Sequence, residues 1–249
     1  MLPGLRGWTD LQRTPRNNLR LGAMLAFVAG ATNAGGFLAV GQYTSHMTGI
    51  VSGMADHLVL GDATVVLIAF ASLTSFLLGA MTTAVLVNWG LRHRLHSAYS
   101  LPLLLEAAAL ILFGLLGASL NLAIALLVPV TVLLLCFLMG VQNAVISKIS
   151  RAEIRTTHVT GLVTDLGIEL GKLVYVNRRP GSPPVRASRE RMRTQGLLIG
   201  LFFVGGIAGA LGFQFVGYVT TVALALLLLL ISWRPVMADL RRTPQAGHV

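Results

Sequence analysis

The chain is dominated by long apolar runs, separated by short segments that carry arginine and lysine. Only helices and closed β-barrels cross a bilayer, because lipid cannot hydrogen-bond a free backbone amide or carbonyl. A spanning helix needs roughly 20 apolar residues, and the runs here do not alternate between polar and apolar residues as barrel strands do. Charged residues make up 11% of the chain, against about a quarter in soluble domains. The sequence therefore predicts an all-α, polytopic membrane protein.

The runs divide the chain into two membrane segments of similar size. We predict a first membrane repeat over residues 21–119 and a second over residues 120–233, which includes a hydrophilic loop at 177–193. A basic arm (residues 1–20) precedes them and a basic tail (residues 234–249) follows. Six runs are long enough to span, whereas residues 46–60 and 162–176 are too short or too polar. The second of these short segments could also lie at the interface as an amphipathic helix.

Positive charge decides between six and eight spans. If both short segments crossed, the basic loop at residues 92–96 would lie on the opposite side from the basic arm, against the positive-inside bias. If both enter and leave on one face, six helices span, and every lysine and arginine except Lys172 lies on the cytoplasmic side. We therefore expect both termini in the cytoplasm. This distribution also accounts for the net charge of +10, so a nucleic-acid partner is not expected.

A six-residue motif occurs twice. Residues 44–49 read TSHMTG and residues 156–161 read TTHVTG, and each copy follows a similar stretch, GATN at 30–33 and GVQN at 140–143. The later stretches FLLGA (76–80) and FFVGG (202–206) also correspond. Each half therefore reads span, short segment, span, span. Three spans are an odd number, so the sequence predicts an inverted 3+3 repeat with about six transmembrane helices and two short re-entrant or half-helices.

Inverted repeats with discontinuous helices are a recurring design of transporters, in which half-helix ends meet near the bilayer midplane. The sequence thus favours a transporter or channel for a small solute or ion, with a site between the two His-x-Thr-Gly elements. The alternative is a non-transporting membrane assembly or stress-related protein whose motifs only hold helices together. The candidate pathway residues are His46, Thr48, Gly49, Asp56, His158, Thr160, Gly161, Asp165 and Glu169.

Other polar residues inside the apolar runs are interpreted as structural. Asn33, Gln142 and Asn143 are expected to hydrogen-bond across helices as packing support. Glu106 lies five residues inside its run and is expected to reach the headgroup region; the alternative is that it faces the bundle and titrates. Small residues around Gly205 and Gly209 permit self-association, so a homo-oligomer is compatible with the sequence.

Motifs of enzymes and metal proteins do not occur in recognisable form. The sequence has no His-Glu-x-x-His spacing, no Gly-x-Ser-x-Gly elbow and no phosphate loop. We therefore expect neither enzymatic activity nor a cofactor or metal, and the expected partners are the lipid bilayer and the small solute or ion. Cys136 lies within an apolar run and is interpreted as a small core hydrophobe.

Four stretches of the chain resemble one known family. SHMTG at 45–49, GVQN at 140–143, RTTHVTG at 155–161 and the pair TD at 164–165 are similar to motifs of the YoaK family, bacterial inner-membrane proteins classed as a domain of unknown function. The resemblance covers roughly residues 20–233 and implies a multi-pass protein of the bacterial inner membrane. It implies no activity. This chain has Asn33 where members of the family often carry an acidic residue.

Overall fold

A computed structural model of the protein describes residues 9, 14–120, 123–150, 153–178 and 183–241. Within these ranges the chain is helical and contains no strand. The helices are α1 (Pro15–Val40), α2 (Met47–Val59), α3 (Ala63–Arg92), α4 (Leu101–Ala118), α5 (Ile124–Ser150), α6 (Val159–Val174), α7 (Arg189–Phe215) and α8 (Thr220–Leu240). Six helices, all except α2 and α6, are long and apolar enough to cross a membrane. The prediction of an all-helical, multi-pass fold is confirmed to that extent.

Several helix ends differ from the predicted boundaries. α1 begins at Pro15, six residues before the predicted span, because the Thr14 hydroxyl accepts a hydrogen bond from the Asn17 amide (3.2 Å) and proline suits the first helical turn. α8 continues to Leu240, so the first residues of the predicted tail are helical. Residues 1–8 and 10–13 of the basic arm and residues 242–249 of the tail lie outside the described residues.

The buried core lies where α1, α4, α5 and α8 meet. Leu25, Leu110, Met139 and Leu228, one from each of these helices, are fully buried in a single apolar cluster. By contrast, only 11% of the most apolar stretch of α3 and 17% of that of α7 is buried, against 61% for α1. α3 and α7 are therefore peripheral helices that leave most of their apolar surface to the lipid.

Each peripheral helix is attached to the core at a glycine contact. α7 lies along α1, and α3 lies along α5. A methyl group on Gly30 of α1 would overlap the carbonyl oxygen of Phe202 in α7, and one on Gly205 of α7 would overlap the carbonyl oxygen of Phe27 in α1. The two backbones thus touch directly, as small residues allow in membrane helices.

The α3–α5 pair repeats this contact. A methyl group on Gly79 would overlap the carbonyl oxygen of Phe137, and one on Gly140 would overlap that of Phe76. All four helices carry the pattern Phe-x-x-Gly at the crossing: FVAG at 27–30, FLLG at 76–79, FLMG at 137–140 and FFVG at 202–205. Both crossings are therefore made by one sequence pattern.

The small-residue face of α7 is occupied within the chain. Gly205 contacts α1 as described, and a side chain on Gly209 would collide with the backbone of Ala31. The sequence analysis interpreted this face as one that permits self-association. Because it packs against α1, it is not available to a second copy.

The loop between α3 and α4 is fixed by the end of α8. The Asp239 carboxylate accepts hydrogen bonds from the backbone amides of His96 (2.9 Å) and Ser97 (2.8 Å). His96 Nδ1 lies 3.1 Å from the same carboxylate. This contact joins the helix ends on the side where the basic loops lie.

Candidate functional site

The two histidine motifs have the same local structure. Ser45 donates from its hydroxyl to the side-chain oxygen of Asn33 in α1 (3.0 Å), and Thr157 donates to that of Asn143 in α5 (2.6 Å). Each asparagine therefore ties down the loop that follows its own helix. Asn33 and Asn143 thus hold local loops in place, whereas the sequence analysis expected them to hydrogen-bond across helices.

The loop then places each histidine immediately before a short helix. His46 precedes α2 and His158 precedes α6, and neither side chain makes a capping hydrogen bond. Thr44 and Thr156, two residues earlier, are fully buried, and their hydroxyls have no hydrogen-bond partner among the described residues. The predicted short segments are thus helices of 13 and 16 residues.

A cavity of about 350 Å³ lies beside the first motif, between the end of α1, α2 and the first half of α3. Its wall contains two histidines, His46 and His57, and the polar residues Gln42, Tyr43 and Ser72; Gly49 and Gly53 of α2 also line it. Among the described residues, no lysine, arginine or carboxylate side chain lines the cavity. The cavity can therefore accept small polar groups through both donors and acceptors.

His57 connects the cavity to the start of α3. Its Nδ1 is buried without a hydrogen bond and lies 3.7 Å from the Asp62 carboxylate. Asp62 in turn caps α3 by accepting from the Val65 amide (3.2 Å). The sequence analysis did not select His57 as a site residue. The feature of the sequence that could have indicated it is its position next to the candidate Asp56.

In the second half, Glu169 of α6 contacts the start of α7, as His57 of α2 lies near the start of α3 in the first half. Its carboxylate accepts from Lys172 Nζ (2.8 Å) and from the backbone amide of Ser188 (2.7 Å), the residue that caps α7. These two hydrogen bonds hold the pKa of Glu169 below its usual value. Glu169 is therefore an ionised group that fastens α6 to α7.

The remaining charged candidates of α6 do not join this contact. Asp165 is exposed, and so is His158. Desolvation of the ring by neighbouring atoms, and then the positive charge of Arg155, lower the pKa of the His158 imidazole, which favours its neutral form. Of His158, Asp165, Glu169 and Lys172, only the last two form an ion pair.

Most other candidate pathway residues lie on exposed surfaces of the short helices. Thr48 and Asp56 of α2 and Thr160 of α6 are exposed, whereas Gly49 and Gly161 are partly buried. α2 packs along α3 and α6 packs along α7, and α2 and α6 form no extensive contact with each other. A single site shared by the two motifs stays a prediction.

Glu106 differs from the expectation. The prediction that it reaches the headgroup region is wrong, because it is fully buried inside the bundle and accepts a hydrogen bond from Gln142 Nε2 (2.7 Å). Gln142 also donates to the backbone oxygen of Leu25 (3.3 Å), so its side chain links α5 to both α4 and α1. Glu106 is buried because it lies on the face of α4 that packs against the other helices. Its short distance from the loop before α4 does not decide this.

No grouping of three or more histidine, cysteine, aspartate or glutamate side chains suited to a metal occurs in the described part of the chain. Cys136 is buried, as expected for a core hydrophobe.

Six helices that are long and apolar enough to cross a membrane define an integral, multi-pass membrane protein. The chain belongs to the family described as Protein of unknown function (DUF1275), whose model matches residues 21–233. No curated protein and no solved structure shows significant similarity to it. The narrower assignment to the YoaK family stays a prediction.

Proposed function

We propose that the protein is a transporter or channel for a small solute or ion in the bacterial inner membrane, and that the cavity beside His46 is part of its pathway. The observation that carries this proposal is the set of polar side chains around that cavity, His46, His57 and Gln42 among them. Polar groups between apolar helices are expensive and commonly mark a substrate or ion route.

An inverted repeat is the second part of the proposal. It is supported by the matching contacts of the two halves: α1 packs on α7 as α5 packs on α3, and α2 packs on α3 as α6 packs on α7. The loop contact of Asn33 recurs at Asn143. With three spans in each half, we propose that α2 and α6 enter the membrane from opposite faces as half-helices.

In this arrangement each histidine stands where its short helix starts. Backbone amides at a helix start are unpaired and carry partial positive charge. A neutral imidazole beside them can donate or accept a hydrogen bond according to its tautomer. His46 and His158 would therefore act as polar contacts for the passing solute at the two sides of the membrane, with Thr48 and Thr160 in the first turn beyond them.

Flux through reconstituted protein tests the proposal directly. Proteoliposomes would be assayed by stopped-flow light scattering with glycerol and urea, and with fluorescent reporters for potassium and chloride. We expect flux above that of protein-free liposomes for at least one probe. His46→Ala and His158→Ala should each lower it at least about tenfold, as loss of roughly 1.4 kcal/mol of interaction predicts.

The matched control is His93→Ala, a histidine at the end of α3 that stacks on Trp89 and does not line the cavity. Its flux should equal that of the unchanged protein. Absence of flux for every probe, or full flux in folded His46→Ala and His158→Ala, would favour the non-transporting alternative.

The topology has its own test. Reporter fusions at two exposed positions, Gly61 in the turn between α2 and α3 and Asn177 in the segment after α6, should read outside and cytoplasmic respectively, with both termini cytoplasmic. The reason is that only this arrangement keeps the basic loops on one side. A cytoplasmic signal at Gly61 would restore eight spans and contradict the inverted repeat.

A further inference from the structure

Three helices meet at one carboxyl group inside the bundle. Glu106, near the start of α4, and Gln142 of α5 are both fully buried. Gln142 Nε2 donates to Glu106 Oε1 (2.7 Å) and to the backbone oxygen of Leu25 in α1 (3.3 Å). The surrounding cluster is apolar and includes Leu103 and Leu110. This pair is separate from the cavity beside α2.

Two acceptor atoms of the pair have no donor. Glu106 Oε2 and Gln142 Oε1 are buried, and neither has a hydrogen-bond partner in the part of the chain that the structure describes. An ionised carboxylate and an amide oxygen can only accept. Exchanging the positions of the Gln142 amide oxygen and nitrogen would place the oxygen against Glu106 Oε1, and one hydrogen-bond donor would still be missing. The pair therefore lacks one hydrogen atom, and a buried polar atom without a partner is strongly disfavoured.

Within the described part of the chain, no cation pairs with the Glu106 carboxyl. Titratable groups on the helices and loops that pack around α4 are exposed, bonded elsewhere or near helix ends, and none of them forms a hydrogen bond or ion pair with Glu106. These groups are Arg20, Arg92, His93, Arg94, His96, Tyr99, Cys136, Lys148, Tyr218, Arg234 and Asp239. An unpaired carboxylate in the membrane interior is so unfavourable that such a group takes up a proton instead.

We propose that Glu106 is a proton-binding site, and that its Oε2–H donates to Gln142 Oε1 while Gln142 Nε2 donates to Glu106 Oε1. The acid and the amide then form a neutral ring with every polar atom satisfied. Loss of the proton to water leaves two acceptors facing each other across α4 and α5. Proton release is therefore linked to separation of these helices or to entry of water between them. The inference does not depend on the transport proposal.

Infrared spectroscopy of the protein in a detergent without ester groups tests the protonation state. At neutral pH the unchanged protein should show the carbonyl band of a protonated carboxyl, and the band should be lost in Glu106→Gln. The control Glu190→Gln alters an exposed glutamate in the first turn of α7 and should leave the band in place. Absence of the band from the unchanged protein, or its persistence in Glu106→Gln, would overturn the proposal.

Isotope labelling keeps this test valid if the variant does not fold. Carboxyl-labelled glutamate in the unchanged protein should shift the band. Of the other glutamates, Glu153 and Glu190 are exposed and Glu169 is bound to Lys172, so a shifted band is assigned to Glu106. A band that does not shift does not come from a glutamate and contradicts the proposal.

Thermal stability as a function of pH gives an independent readout. If the folded state holds a proton at Glu106 that the unfolded state releases, stability falls as pH rises. The melting temperature of the unchanged protein should therefore decrease from acidic to alkaline pH more steeply than that of Glu106→Gln, whose amide supplies the missing donor at every pH. Equal slopes would show that Glu106 carries no such proton.

Discussion

Gly205→Ala should strongly destabilise the protein, because the added methyl group would overlap the backbone carbonyl of Phe27. A backbone carbonyl inside a helix cannot rotate away, so α7 must separate from α1 along the whole crossing. Overpacking typically lowers stability by 1–3 kcal/mol, and we expect about 3 kcal/mol here. For a chain of this size that is a decrease in melting temperature of roughly 6 to 12 °C, measured in detergent or in proteoliposomes.

The matched control lies on the same helix. Gly200→Ala places the same methyl group where no atom lies within 4 Å. Its melting temperature should stay the same or rise, because alanine is favoured over glycine inside a helix by up to about 1 kcal/mol. If both variants melted at the same temperature, the direct backbone contact between α1 and α7 would be contradicted.

Gly53→Leu should abolish flux without harming the fold. Gly53 lines the cavity beside His46, and an added Cβ there has no atom within 4 Å. A leucine side chain at this position enters the space that the proposed pathway uses. Leucine also forms helices better than glycine, by up to about 1 kcal/mol. We therefore expect flux equal to that of protein-free liposomes, in a protein at least as stable as the unchanged one.

Gly200→Leu on α7 is the corresponding control. It has the same helical gain and the same open surroundings, but it does not line the cavity, so its flux should be unchanged. Unchanged flux in Gly53→Leu would mean that this cavity is not part of the route, even if the protein transports. Loss of flux in both variants would point to a general effect of a larger side chain at the lipid surface.

The spans and the short helices could be predicted from the sequence because their causes are local. A long apolar run that carries few charges has few alternatives to a spanning helix, and residues 46–60 and 162–176 did form helices too short to be ordinary spans. The exact ends were less predictable. The cap at Thr14 starts α1 inside a segment whose arginines suggested a separate arm.

The partners of each helix could not be predicted in the same way. The environment of Glu106 depends on how α4 is rotated against α5, and composition along a uniformly apolar helix contains little information about rotation. The Phe-x-x-Gly pattern was visible at Gly79 and Gly205 as part of the repeat. However, nothing in the sequence shows that Gly205 meets α1 while Gly79 meets α5, since these contacts join residues far apart in the chain.

The exchange of partners between the halves has a consequence for biosynthesis. α1 packs mainly on α7, and α3 packs mainly on α5. Helices α1 and α3 therefore enter the membrane before their packing partners, α7 and α5, have been synthesised. During that interval the glycine faces of Gly30 and Gly79 meet lipid, and α1 has to wait until nearly the whole chain has been inserted. Each half thus completes the other, and neither contains its own principal helix contacts.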